Sequence, residues 1–143
     1  MQITFIENSI DFTSSSLNYK ALDANKKNLI NFAEELAKSG HVITIYNNTN
    51  KVKKENGVLW SCLESIKKDY LETDVLIVCD DIDLIDISIE AKIKFFWLNF
   101  ILEEENQKKT LINLIKNKFI ILYNSSSLII NLQANFNYVP KIC

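Results

Sequence analysis

Glycine and proline are scarce in this chain, with 2 Gly and 1 Pro in 143 residues. Loops that wrap closely around phosphates need glycine wherever the backbone turns left-handed or approaches the ligand. Neither a GxGxxG fingerprint nor a P-loop pattern occurs, so NAD binding and ATP hydrolysis through such loops are not expected. Cysteine is sparse too. Cys62, Cys79 and Cys143 are odd in number and lack metal-like spacing, which argues against both a disulfide framework and a zinc site. Cys79, inside an apolar run, reads as a small core residue. There is no basic excess: 16 Lys+Arg stand against 18 Asp+Glu, for a net charge of -2, so nucleic acid is not an expected partner. No run of about 18 uncharged apolar residues occurs. The opening MQITFIENSIDF has neither a basic leader nor an apolar stretch of signal length, so no integral membrane segment and a cytoplasmic location are expected.

A hydrophobic content of 48% in 143 residues suits one compact domain spanning 1–143. The run QITFI (Gln2 to Ile6) suits a buried central strand. Between Lys26 and Lys38 the residues Leu29, Ile30, Phe32, Ala33, Leu36 and Ala37 share one helical face, and Gly40 reads as the C-terminal stop of that helix. HVITIYN (His41 to Asn47) follows as a strand. NTNKVKKEN reads as an exposed turn before a weak strand or turn at Gly57 to Leu59, and SCLESIKKDYLE (Ser61 to Glu72) as a short helix. DVLIVCD (Asp74 to Asp80) is the clearest buried strand. DLIDISIEA holds one helical turn, KIKFFWLN (Lys92 to Asn99) is a strand and EEENQKKTLINLIKN an amphipathic helix with the charge order its dipole favours. KFIILYN is a further strand, and SSSLIINLQANF a last helix opened by serine caps. Apolar strands alternating with helical patterns predict an α/β fold: a Rossmann-like, mostly parallel sheet with helices on both faces.

Ligands in such sheets bind at the carboxyl ends of strands where the strand order reverses. That rule directs attention to the loops starting at Glu7, Asn47, Asp80, Asn99 and Asn124, with Glu7, Asn8, Asp80, Asp81 and Asn99 as candidate substrate contacts. No catalytic residue is assigned. The hydroxyls of Thr13 to Ser16 suit a polar ligand, or simply a solvated loop. Asp80, Asp81, Asp83 and Asp86 form an acidic loop that could hold magnesium in a receiver-like domain. A receiver places its acidic pair after the first strand, however, where this chain has Glu7 and Asp11, so a solvated loop and helix cap is the plainer reading and no metal is expected. His41 is the sole histidine and falls at the amino end of a strand, away from the expected ligand edge, which favours a structural role. Phe95 and Trp97 alternate in a strand and read as core.

Three stretches, taken in order, resemble one family. NLINFAEELAKSGHVITIYNN resembles the first helix and second strand of family 4-type GT-B glycosyltransferases, where Leu-Ala-x-x-Gly-His leads into Val-x-Val-Tyr. DVLIVCDDIDLIDISIEAKIKFFWLNF is similar to a later part of the same half, which ends Trp-Leu-His-Asp. KFIILYNSSSLIINLQANFNYVPKIC resembles its last strand and helix. The resemblance implies an acceptor-side domain for sugar transfer from a nucleotide-sugar to a hydroxyl, with a sugar or glycan acceptor and no cofactor of its own. The nucleotide-sugar donor would bind a C-terminal domain, and the chain is expected to be a fragment or a free-standing half, inactive alone. Two departures stand out. The family's Gly-Gly-x-Glu loop is replaced by ALDANKK. Asn99 and Phe100 stand where histidine and aspartate are common, and an asparagine carries no proton near neutral pH. The alternative expectation is a non-enzymatic Rossmann-like interaction or regulatory module that pairs with a separate donor domain, another partner or a second copy of itself, using FNYVPKIC as part of the surface.

Overall fold

The computed structural model describes residues 1–66, 71–99, 104–128 and 130. Strand β1 (Gln2–Ile6) is followed by helix α1 (Ala24–Lys38), strand β2 (Val42–Asn47) and the hairpin of β3 (Lys53–Glu55) and β4 (Val58–Cys62). Then come α2 (Leu63–Ile66), β5 (Leu71–Cys79), β6 (Ile89–Leu98), α3 (Glu104–Lys116) and β7 (Phe119–Tyr123). The strands form one 7-stranded sheet in the order β3-β4-β2-β1-β5-β6-β7. Every neighbouring pair is parallel except β3 with β4. This is a small α/β domain with a mostly parallel sheet.

Local chemistry explains the edges of α1. Asp23 caps its start, its side chain accepting from the Lys26 backbone N–H at 2.9 Å. At the other end Gly40 takes a φ of 88°. Its N–H donates to Ala37 at 3.0 Å while His41 N–H donates to Leu36 at 3.2 Å, the paired closure that a left-handed residue makes possible.

Two core clusters use alternate residues of the strands. Phe5, Ile43, Ile45, Trp60, Val75 and Ile77 pack with Leu29, Ile30 and Ala33 of α1. Ile6, Leu76, Val78, Phe96 and Leu98 pack with Leu111 and Leu114 of α3. Phe95 lies against the first cluster, and both Trp97 and Cys79 belong to it, the core roles expected of them. Among the described residues no helix is long and apolar enough to cross a membrane.

The segment from Asn48 to Glu72 differs from the sequence reading. What reads as an exposed turn contains β3, and the expected helix from Ser61 gives way to strand at Ser61 and Cys62, a four-residue helix at Leu63–Ile66, and strand again at Leu71 and Glu72. Asn56 and Gly57, with φ of 49° and 84°, make a tight turn of the kind that matches strand twist, so β3 folds back on β4. Trp60, fully buried and paired with Ile45, holds β4 in the sheet despite the helical spacing that follows it. The strands around the acidic loop are also longer than expected, β5 starting at Leu71 and β6 at Ile89. Of the last expected helix, residues 126–128 and 130 are helical, while Phe100, Cys143 and the FNYVPKIC segment lie outside the described residues.

Candidate functional site

The chain runs outward from β1 to β2 and β4, then returns to lay β5 on the other side of β1 before continuing to β6 and β7. The strand order therefore reverses between β1 and β5, and a crevice opens beyond their carboxyl ends. Glu7 and Asn8 leave β1 there, Asp80 and Asp81 leave β5, and Asn99 leaves β6. A cavity of about 680 Å³ lies at this point, lined by Glu7, Asn8, Ser9, Asp80 and Asp81, with Lys109 and Thr110 of α3 on its far wall. A smaller one of about 120 Å³ shares Glu7, Ser9 and Asp80 and adds Lys26, Trp97 and Asn99. All five residues expected from strand-end position thus border one of two adjoining cavities.

Their side chains are not equally available. Asp80 adopts a left-handed φ of 58°, a conformation that aspartate tolerates better than most side chains. Both its carboxylate oxygens are engaged by Asn99: the backbone N–H donates to Oδ1 and the side-chain Nδ2 to Oδ2, each at 2.8 Å. Asn99 Oδ1 in turn accepts from Asn124 Nδ2, and Asn124 Oδ1 accepts from Trp97 Nε1 at 2.7 Å. This relay joins the ends of β5, β6 and β7. Burial pushes the Asp80 carboxyl above its ordinary range, and the Asn99 hydrogen bonds pull it partly back.

Asp81 and Asn8 form a second tie. Asn8 Nδ2 donates to Asp81 Oδ2 at 3.1 Å, while Asp81 Oδ1 accepts from the Asp83 N–H at 3.0 Å and opens the 3-10 turn at Ile82–Asp86. Glu7 is the least satisfied of the five. Its backbone N–H is held by Tyr46 at 3.0 Å, but its Oε2 is buried without a hydrogen-bond partner among the described residues. Burial raises the Glu7 carboxyl, with Ser9 opposing and the nearby Asp80 charge adding to the rise. Glu7, a residue on the wall of both cavities, thus carries a carboxylate oxygen left unsatisfied among the described residues.

The other candidates are placed elsewhere or used internally. His41 lies just before β2, at the opposite edge of the sheet, with Nδ1 3.5 Å from the Met1 ammonium. The Thr13 to Ser16 hydroxyls mostly serve their own loop: Ser16 Oγ accepts from Thr13 N–H at 2.9 Å, and Ser15 donates its N–H and Oγ to the two carboxylate oxygens of Glu55. Burial raises the Glu55 carboxyl, but these hydrogen bonds outweigh it and leave the group below its usual range. Among the described residues no three or more His, Cys, Asp or Glu side chains are grouped to hold a metal ion. The sequence reading pointed to the loop that starts at Asn124 without naming Asn124 a substrate contact, and it did not single out the α3 residues Lys109 and Thr110. Asn124 begins a strand-end loop as the other candidates do, whereas α3 reaches the cavity through tertiary packing that has no local signature.

Comparison with protein-family models, with curated proteins and with solved structures gave no match.

Proposed function

We propose that this chain is the acceptor-side half of a GT-B-type glycosyltransferase. On this reading it is a Rossmann-like domain, with α1 on one face of the sheet and α3 on the other, that seats a hydroxyl-bearing acceptor beside Glu7, Asn8, Asp80, Asp81 and Asn99. The observation that carries the reading is the meeting of these five residues at the strand-order reversal, in a chain whose α1–β2 and β5–β6 segments resemble that family. The reaction is transfer of a sugar from a nucleotide-sugar to an acceptor hydroxyl. Stabilisation of the departing diphosphate falls to a donor-binding domain, so this chain alone binds acceptor without turning over donor. Asp80 and Asn99 then act mainly by fixing the ends of β5 and β6, and Glu7 by accepting from the ligand.

Two measurements on the purified 143-residue chain test this. Incubation with UDP-, GDP- and ADP-sugars is expected to give no hydrolysis, and simple methyl glycosides are expected to shift the backbone amide signals of residues 7–9 and 80–83. Turnover by the chain alone refutes the division of labour. Glycosides that leave those signals unmoved refute the acceptor site.

One observation favours a second reading, a non-enzymatic module that pairs with another protein or with a second copy. An open groove of about 350 Å³ is lined by Phe32, Trp97 and Leu122 with Asn28, Asn31 and Asn124 at its rim, and Phe32 remains 41% exposed. A concentration-independent dimer in light scattering, without any glycoside response, supports that reading over the first.

A further inference from the structure

We infer that the ligand of the cavity between β1, β5 and α3 is a hydroxyl-bearing molecule without phosphate or carboxylate groups. The inference rests on the acceptor-site reading and adds the ligand's charge to it.

Charge and hydrogen-bonding capacity both lead there. Among the described residues five carboxylates line the 680 Å³ cavity, those of Glu7, Asp80, Asp81, Asp83 and Asp86, against the one ammonium of Lys109. Among the described residues none of these six groups forms an ion pair. Their field is therefore not cancelled by local pairing, and an incoming anion meets net repulsion at distances within a Debye length. Lys26, which borders the adjoining cavity and favours the charged forms of Glu7 and Asp80, is itself paired with Asp23, so it weakens this field without reversing it.

The polar inventory points the same way. Carboxylate oxygens only accept hydrogen bonds, and one of them, Glu7 Oε2, has no donor among the described residues. Sugar hydroxyls bring hydrogens to the carboxylates of Glu7, Asp80 and Asp81 and accept in return from the Lys109 ammonium, the Thr110 hydroxyl or the Asn113 amide on the α3 wall. A phosphate dianion brings oxygens alone. It would offer these carboxylates no hydrogen and set two more negative charges among them. Clustered basic residues are the arrangement that phosphate calls for, and among the described residues the lining of this cavity has no glycine and no lysine besides Lys109.

The test uses ¹⁵N-labelled chain at low ionic strength. It is titrated with methyl glucoside, galactoside and mannoside, and in parallel with the corresponding hexose 6-phosphates and with glucuronate. The expected result is that at least one neutral glycoside shifts the amides of residues 7–9 and 80–83 at roughly tenfold lower concentration than its phosphorylated counterpart. Asp83→Asn combined with Asp86→Asn, both exposed and without side-chain hydrogen bonds among the described residues, is expected to narrow that gap while leaving neutral glycoside binding in place. Phosphorylated sugars that bind as tightly as the neutral ones overturn the inference and leave the acceptor site standing. A panel in which no sugar moves those amides overturns the site, and the inference with it.

Discussion

Asn47 offers a direct test of how the loops around the cavity are held. The residue ends β2 and is fully buried. Its Nδ2 donates to the Phe12 carbonyl at 2.7 Å, and its Oδ1 accepts from the Thr49 N–H at 2.9 Å. One side chain thus pins the loop that carries Asn8 and Ser9 to the loop that follows β2. Asn47→Ala removes both hydrogen bonds and strands a carbonyl and an N–H in places that exclude water. Each such bond contributes about 1 kcal/mol net, and each stranded partner adds its own desolvation, so the expected loss is about 2–4 kcal/mol. Against a total stability of about 5–15 kcal/mol this is a large fraction, and it corresponds to a fall in Tm of roughly 10 °C. Urea unfolding followed by circular dichroism measures it. Asn47→Asp sharpens the test, because the introduced carboxyl keeps the Thr49 contact but turns an oxygen toward the Phe12 carbonyl. Once protonated that oxygen donates again, so the loss in this variant shrinks as pH falls. A change under about 0.5 kcal/mol for Asn47→Ala, with unmoved amide signals over residues 8–16, would refute the view that Asn47 anchors these loops.

Glu7 and Gly57 give two further expectations. The folded-state pKa of Glu7 lies above its ordinary value of 4.5, so the folded chain holds the proton more tightly, and stability declines as pH rises from about 4 through the folded pKa. Glu7→Gln is expected to flatten that decline in urea titrations run from about pH 4 to pH 7; because Asp80 shifts in the same direction, some slope persists, and an unchanged slope would show that Glu7 is not the buried acid responsible. Gly57→Ala forces a side chain onto a φ of 84° and brings its Cβ within 3.0 Å of the Ala37 Cβ, so thermal unfolding should report a loss of about 1–2 kcal/mol, while an unchanged Tm would remove the conformational argument for the β3–β4 turn.

Much of the arrangement was legible because its causes are local. The apolar run before Asp80 has no way to satisfy itself except inside a sheet, and it is indeed a buried strand. Gly40 marked the end of α1 because few other residues take its backbone angles readily. Asn56-Gly57 carried an equally local hairpin signal, yet the lysine-rich flanks of β3 looked like solvated loop; as an edge strand it pairs on one side and keeps its charges in water. The segment after Trp60 misled for a different reason, since its helical spacing is real but the pairing of β4 with β2 overrides it up to Cys62. At the site, strand-end position was enough to collect Glu7, Asn8, Asp80, Asp81 and Asn99. Their individual roles were not legible: the grip of Asn99 on Asp80 depends on the register of β5 beside β6, in which Cys79 pairs with Trp97, and the reach of Asn124 depends on β7 lying next to β6.

The position of β1 bears on how the chain comes together in time. It is the innermost strand of the order, flanked by β2 and by β5, and the hydrogen bond from Gln2 N–H to Asp74 spans 72 residues of sequence. A parallel neighbour never comes from an adjacent hairpin, so pairing β1 with its second flank requires closure of the whole length through β4 before the contacts repay it. The mouth of the cleft, made by the residues that leave β1 and β5, is therefore assembled by the longest-range pairing in the middle of the sheet. A cleft competent to bind is thus expected to form together with the sheet's centre, so the refolding rate of the β1–β5 pair should match the rate at which binding competence returns.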